Sequence, residues 1–110
     1  MELDYYTRES ECGYAELKKG TPEEETNRIV WLDTLFIEEE YRGSGKGTRL
    51  LQEILDDAFE FGYKKVKVHA MTLEFMAYQP LIEQFYIKNR FSVDNGYAIH
   101  QGKIMSIQLT

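Results

Sequence analysis

The chain has 110 residues, of which 43% are hydrophobic, 14% aromatic and 29% charged, and its net charge is −6. This composition is typical of one small globular domain spanning residues 1–110, and the length leaves no room for a second core. An acidic chain is a poor match for nucleic acid or for an anionic membrane, and is better suited to a basic partner such as an amine or a lysine-bearing protein.

The only cysteine is Cys12, so one chain can form neither a disulfide nor a cysteine-based zinc site. We therefore expect a protein of a reducing compartment that carries no metal. Met1 is followed by acidic residues, and no apolar run approaches the ~18 residues of a membrane span. These features predict a cytoplasmic protein without a signal peptide.

The first third of the chain is predicted to form strands. Leu3–Thr7 and Gly13–Lys18 flank a polar turn and predict an amino-terminal hairpin. Thr21–Glu25 is predicted to be a solvated loop, because Pro and consecutive glutamates are typical of one. Arg28–Ile37 is almost continuously apolar, β-branched or aromatic, which predicts a central strand buried on both faces.

The middle of the chain is predicted to be a helix and a strand. Gly45–Phe61 has the period of an amphipathic helix, Gly62 is a suitable carboxyl-terminal cap, and Lys64–Ala70 alternates as a strand does. A strand, helix and strand in succession imply a parallel pair with a right-handed crossover. The apolar face of the helix is predicted to hold Leu50, Leu51, Ile54, Leu55, Ala58 and Phe59, and the polar face Arg49, Gln52, Glu53, Asp56, Asp57 and Glu60.

The last third begins with Met71–Tyr78, which has no clean period. Pro80 suits the first turn of a second helix, which we expect to end near Asn89. Tyr97–His100 and Lys103–Leu109 are predicted to form a closing hairpin.

Three glycines, Gly43, Gly45 and Gly47, lie between the predicted strand and the first predicted helix. A strand, a glycine turn and a helix amino terminus together bind phosphate, because the free N–H groups of the first turn attract anions. The string Gly43–Thr48 is also similar to a nucleotide-kinase P-loop, which needs a glycine where Glu40 stands. Three consecutive glutamates before the loop would repel nucleotide phosphates, so the sequence argues against a kinase.

The loop instead resembles a motif of the GCN5-related N-acetyltransferases (GNAT), in which it binds the pyrophosphate of acetyl-coenzyme A. The matching residues are Arg42, Gly45 and Gly47, with the apolar strand before them and the amphipathic helix after them. Glycine at these positions removes the Cβ atoms that would hold the pyrophosphate away.

A second motif of the same family, Asn-x-x-Ala-x-x-Leu-Tyr-x-x-x-Gly-Phe, resembles Gln79–Phe91. Tyr86 and Phe91 are in register with it, and Arg90 stands in place of the glycine. Because arginine disfavours positive φ, we expect Asn89 to supply the left-handed cap.

The resemblance implies an α+β fold of three layers, the acyl-CoA N-acyltransferase-like mixed sheet of about six strands with two main helices. It also implies that an amine, from a protein lysine or amino terminus, attacks acetyl-CoA directly within a ternary complex, with no metal. Main-chain groups of Leu35, Phe36 and Ile37 would pair with the pantetheine. The remaining coenzyme-binding residues implied are Arg42, Gly43, Ser44, Gly45, Lys46, Gly47 and Thr48.

The resemblance further implies that Tyr86 protonates the departing thiolate. A phenol of pKa ~10 and a thiol of pKa ~8.5 make that transfer nearly thermoneutral. The base that deprotonates the amine is left open among Glu74, His69, Asp33 and water.

One departure from the family is that the chain has no room for the usual first strand and two helices that wall the acceptor site. We therefore expect an open acceptor side, or one completed by a second subunit of a homodimer. This short outline is similar to that of acetyltransferases among phage anti-CRISPR proteins. Acetylation of a small amine or polyamine, and non-catalytic binding of acyl-CoA, are the alternative functions.

Overall fold

A computed structural model describes residues 4–70, 79–98 and 102–110 of the chain. Within these ranges six strands form one mixed sheet in the order β1-β2-β3-β4-β6-β5, which confirms the expected fold class. No helix of the described residues is long and apolar enough to cross a membrane. The strands are β1 (Tyr5–Ser10), β2 (Gly13–Lys19), β3 (Ile29–Ile37), β4 (Lys65–Ala70), β5 (Ser92–Ala98) and β6 (Gly102–Gln108). The helices are α1 (Pro22–Thr26), α2 (Lys46–Glu60) and α3 (Gln79–Lys88), with a 3-10 turn at Glu39–Tyr41.

The chain divides into two compact units. The first comprises Met1–Val66 with Gln108–Thr110, and the second comprises Lys67–Ile107. In the first unit β1, β2 and β3 pair antiparallel, and α2 packs on one face of them.

The segment Thr21–Glu25 was predicted to be a loop, and that prediction is wrong because α1 begins within it. The side chain of Thr21 accepts a hydrogen bond from the Glu24 backbone N–H, and the Glu24 carboxylate accepts one from the Thr21 N–H. This capping box, with Pro22 in the first turn, starts the helix.

Strand β3 was predicted to be buried on both faces, and only one face is. Val30 and Leu32 are buried, whereas the side chains of Trp31 and Phe36 are half-buried. The pairing with β2 shifts within the strand, so that Asp33 is the extra residue of a β-bulge and is exposed. The sequence pattern did not predict this bulge.

Helix α2 buries its apolar face as predicted, with one exception on that face and one on the polar face. Phe59 was assigned to that face but is 51% exposed. Asp57 was assigned to the polar face but is buried, because both its oxygens accept hydrogen bonds from the Arg8 guanidinium and one also accepts the Tyr6 hydroxyl. The Arg8 hydrogen bonds hold the pKa of Asp57 below its usual range. An ion pair therefore fastens β1 to α2.

The carboxyl terminus of α2 has the predicted glycine cap. Gly62 has a φ of 94°, and the N–H groups of Gly62 and Tyr63 donate to the carbonyls of Phe59 and Ala58. This is the Schellman arrangement, in which a left-handed residue closes the helix and redirects the chain.

Helix α3 ends in the same arrangement, but not at the predicted residue. Arg90, rather than Asn89, is left-handed, with a φ of 73°. The N–H groups of Arg90 and Phe91 donate to the carbonyls of Ile87 and Tyr86, so the position after Asn89 must be left-handed whatever its side chain. The expectation that Asn89 supplies the cap is therefore wrong.

The second unit contains the closing hairpin. Strand β5 begins at Ser92 rather than at the predicted Tyr97, and it pairs antiparallel with β6 through an irregularity between Val93 and Tyr97. Strand β4 alternates buried and half-buried residues, as predicted. The segment Met71–Tyr78 lies outside the described residues, as do residues 99–101.

Candidate functional site

The loop between β3 and α2 has the open form that an anion-binding turn needs. Gly43 and Gly45 have φ values of 79° and 82°, which side chains rarely adopt. A Cβ atom at either position would meet no protein atom within 4 Å, so packing does not explain the glycines. The positive φ values account for both glycines, and the backbone of the loop is open on this side.

The amino terminus of α2 opens onto this loop. Gly45 is its N-cap and brings no side chain to satisfy the first turn, and the first helical bond runs from the Arg49 N–H to the Gly45 carbonyl. The N–H groups of Lys46, Gly47 and Thr48 therefore precede the hydrogen-bonded part of the helix. Together with the helix dipole they attract a negative charge. The arrangement fits a pyrophosphate.

Arg42 orders the loop. Its Nε donates to the Ile37 carbonyl at 2.9 Å, and its guanidinium carbon lies 6.0 Å from the centre of the Phe36 ring. Ser44 adds a second tie, because its hydroxyl donates to the Tyr41 carbonyl at 2.6 Å. These contacts tie Arg42 to the end of β3.

The amine of Lys46 is turned toward the β1–β2 turn. Its Nζ lies 3.6 Å from a Glu11 carboxylate oxygen and 4.5 Å from the centre of the Tyr41 ring. The Lys46 side chain is 39% exposed and that of Glu11 is 81% exposed, so the ion pair contributes little to stability. The pair nevertheless holds the Lys46 side chain against the hairpin.

The end of β3 lies against Gly13, a contact that sequence reasoning missed. Leu35, Phe36 and Ile37 pair with Ala15, Tyr14 and Gly13 of β2. A Cβ at Gly13 would lie 1.9 Å from the Phe36 carbonyl oxygen, so only glycine fits. A glycine within a strand pattern is the signal that could have indicated this close approach.

In the second unit, Tyr86 lies on α3 and is only 6% exposed. Its ring packs edge-on against Phe85 and Phe91, at 5.3 Å and 5.1 Å between ring centres. Burial raises the pKa of Tyr86 above its usual value. The phenol of Tyr86 is therefore a weaker acid in the free protein than a tyrosine in water.

The three candidate bases lie in different settings. Asp33 is exposed at the bulge of β3 in the first unit. His69 is half-buried on β4, on the side that Lys65 and Lys67 share. Glu74 lies outside the described residues.

A sequence profile of the acetyltransferase (GNAT) family matches residues 5–81, well over half of the chain. No curated protein sequence matches the chain.

Among solved structures, the chain is similar to a candidate GNAT acetyltransferase from Desulfovibrio desulfuricans, with a TM-score of 0.75 and 22% identity over 97% of this chain and 71% of the other. The anti-CRISPR protein AcrVA5 gives a TM-score of 0.74 and 21% identity over 96% of this chain and 99% of its own. The PaiA N-acetyltransferase of Thermoplasma acidophilum, solved with coenzyme A, gives 0.72 and 21% over 96% of this chain and 62% of its own. At these identities the likeness shows a common fold.

Proposed function

Since this chain belongs to the acetyltransferase (GNAT) family, we propose that it transfers the acetyl group of acetyl-CoA to the amine of a protein lysine or amino terminus. The observation that carries the proposal is the loop before α2, with two left-handed glycines beneath open space and an amino terminus that no side chain caps. The coenzyme A bound to the PaiA acetyltransferase, which shares the fold, supports the same ligand.

We assign the binding of acetyl-CoA to the first unit of the chain. The N–H groups at the start of α2 and at Gly45 hold the pyrophosphate, and Arg42 keeps the loop in place through its bond to the Ile37 carbonyl. Successive main-chain groups of a strand alternate between its two sides. The main-chain groups of Leu35–Ile37 that do not pair with β2 are the ones that we assign to the pantetheine amides.

The chemistry is a direct transfer. The amine nitrogen attacks the thioester carbonyl carbon, the C–N bond forms, the C–S bond breaks, and the sulfur leaves as a thiolate. The thiolate takes a proton from Tyr86, and the amine loses one to a base among Asp33, His69, Glu74 and water. Because burial raises its pKa, Tyr86 is protonated at every physiological pH and is available as an acid.

The coenzyme assignment is tested by thermal shift with acetyl-CoA and with ATP. Acetyl-CoA is expected to stabilise the protein and ATP is not; stabilisation by ATP alone would contradict the proposal. Gly45→Leu is expected to abolish the acetyl-CoA shift. Gly62→Leu is the matched control, because Gly62 is also left-handed and also meets nothing within 4 Å, yet it caps the far end of α2.

The acid is tested by following thiol release from acetyl-CoA in the presence of lysine-containing peptides. Tyr86→Phe removes only the hydroxyl and keeps the ring packing, so we expect thiol release to slow about 100-fold or more with coenzyme affinity unchanged. Tyr63→Phe is the control, since burial and Glu25 raise the pKa of Tyr63 to about 12 as well. Full activity of Tyr86→Phe would remove Tyr86 from the mechanism.

The acceptor class is tested by comparing lysine peptides with spermidine under the same conditions. A higher kcat/KM for the peptides is expected. The opposite order would point to a polyamine acetyltransferase, and binding of acetyl-CoA without any thiol release would point to a non-catalytic acyl-CoA-binding protein.

A further inference from the structure

The three strands of the first unit have a second face that α2 does not cover. Tyr6 and Arg8 of β1 contact α2, and Ala15 and Leu17 of β2 are buried on the same side. Because side chains alternate along a strand, the residues between them point to the opposite face. We call this opposite side the outer face, and its residues include Tyr5, Glu9, Tyr14, Glu16, Trp31 and Phe36.

Aromatic side chains are concentrated on the outer face. Tyr14 and Phe36 are cross-strand partners with ring centres 5.6 Å apart, and Tyr14 remains 41% exposed. Tyr5 on β1 is 57% exposed and lies at the other end of the strands, where Lys18 separates it from Trp31. α1 packs against β3, where the Glu24 carboxylate accepts the Trp31 indole N–H, so α1 covers β3 at Trp31 and leaves the Tyr14–Phe36 pair uncovered. Exposed aromatic groups of this kind mark docking surfaces.

The aromatic rings of the outer face already carry cations of the chain itself. Lys18 Nζ lies 5.9 Å from the centre of the Tyr5 ring, and the Arg42 guanidinium lies 6.0 Å from that of Phe36. These distances are those of cation–π contacts. The geometry of the face therefore suits the side chains of lysine and arginine.

Three acidic residues lie near Tyr14 in the sheet, by strand register and backbone contact. Glu9 is its direct cross-strand partner, and Glu16 lies two residues further along the same strand, held by the Thr7 hydroxyl at 3.1 Å. Glu38 is brought to the same end of the sheet, because its N–H donates to the Cys12 carbonyl. An aromatic ring among carboxylates attracts a basic segment, and a second copy of a chain with net charge −6 would be repelled.

We propose that the outer face is the docking surface for a basic, extended segment of the acceptor protein. A lysine or arginine of that segment stacks on Tyr14 and pairs with Glu9 or Glu16. The inference rests on the proposed function, and Phe36 connects the two: its ring belongs to the outer face, and its main chain belongs to the segment assigned to pantetheine. An acceptor segment bound at Tyr14 would thus lie next to the residue whose main chain is assigned to the pantetheine.

The test uses a fluorescent lysine- and arginine-rich peptide and the full chain, with binding followed by anisotropy in the absence of coenzyme. Tyr14→Ser is expected to raise the Kd of the peptide about fivefold or more, and Glu9→Lys is expected to do the same. Phe59→Ser is the matched control, because Phe59 is an aromatic residue on α2 that is even more exposed than Tyr14. Its Kd for the peptide is expected to equal that of the wild type.

Equal peptide affinities for Tyr14→Ser and Phe59→Ser would overturn the docking surface. A dimer of the wild type that Tyr14→Ser dissociates, seen by analytical ultracentrifugation, would overturn it as well, because the occupant would then be a second copy. The two proposals fail differently. A peptide that binds through Tyr14 but is never acetylated refutes the proposed function, whereas a peptide that is acetylated with a KM insensitive to Tyr14→Ser refutes the docking surface.

Discussion

Substitution of Gly13 by alanine tests whether the hairpin supports the segment assigned to coenzyme binding. The new Cβ would lie 1.9 Å from the Phe36 carbonyl oxygen and 2.8 Å from the carbonyl carbon. Both atoms belong to backbone, so no flexible side chain can move out of the way. The end of β3 must retreat, since Cβ contacts shorter than 3.0 Å essentially do not occur.

The expected magnitudes follow from that displacement. Moving the oxygen from 1.9 Å to at least 3.0 Å shifts the strand end by about 1 Å. Overpacking of this kind lowers the free energy of unfolding by about 1–3 kcal/mol. A shift of ~1 Å is also expected to break one main-chain hydrogen bond between the end of β3 and the pantetheine. Such a bond contributes about 1 kcal/mol, so the Kd for acetyl-CoA is expected to rise about fivefold.

The assay pairs urea unfolding with calorimetric titration of acetyl-CoA. Gly62→Ala is the control, because a left-handed alanine costs about 1–2 kcal/mol and meets no atom within 4 Å. Both variants are expected to lose stability, but only Gly13→Ala is expected to lose coenzyme affinity. An unchanged unfolding midpoint for Gly13→Ala would refute the steric argument. A loss of stability with an unchanged Kd would refute the link between Phe36 and the coenzyme.

Three further substitutions have defined outcomes. Arg90→Gly is expected to stabilise the protein by about 0.5–1 kcal/mol in thermal melts, because glycine relieves the positive φ of 73°; a lower melting temperature would contradict this. Asp57→Asn is expected to lose about 1–2 kcal/mol at pH 7, since it removes the charged partner of Arg8. As the folded pKa of Asp57 is lowered, its contribution is present above the unfolded value of about 3.9 and is lost as pH falls through the folded pKa. Acid titration of stability is therefore expected to be shallower for Asp57→Asn than for the wild type, and parallel profiles would refute the ion pair. Thr21→Ala is expected to cost about 0.5–1 kcal/mol in urea unfolding, by removing the cap of α1; no change would mean that α1 contributes nothing to the unit.

Much of the fold could be predicted because its signals are local. The bounds of α2 were predicted to within a residue at each end, since a 3.6-residue hydrophobic period and a terminal glycine both lie within the segment itself. The strand β4 was predicted equally well from its alternation. The helix α1 was missed although its capping box is also local, because the run of glutamates was read as solvated chain.

The features that were missed depend on partners far away in the sequence. Asp57 is buried because Arg8, 49 positions earlier, supplies its charge partner, and no window around the helix shows that residue. The bulge at Asp33 is set by the pairing of β3 with β2. Arg90 is left-handed because the two capping bonds of α3 fix the backbone there, which overrides the preference of its side chain.

In the candidate site, too, some features depend on the local sequence and others on distant packing. A glycine turn between strand and helix was predicted from the local sequence, and Gly43 and Gly45 are left-handed there, whereas Gly47 lies in the first turn of α2. The raised pKa of Tyr86 was not predicted, because burial depends on the packing of α3 rather than on the motif. Asp33 and His69 stay candidates, as does Glu74, which lies outside the described residues.

The contact between α1 and β3 gives the chain an internal optical reporter. Trp31 is the only tryptophan of the sequence, and its indole N–H donates to the Glu24 carboxylate at 3.0–3.1 Å. Indole emission depends on the polarity around the ring, so its fluorescence follows the first unit alone, whereas circular dichroism follows the helices and strands of both. Coincident transitions by the two probes would mean that the units unfold cooperatively, and separated transitions would assign an order to their unfolding.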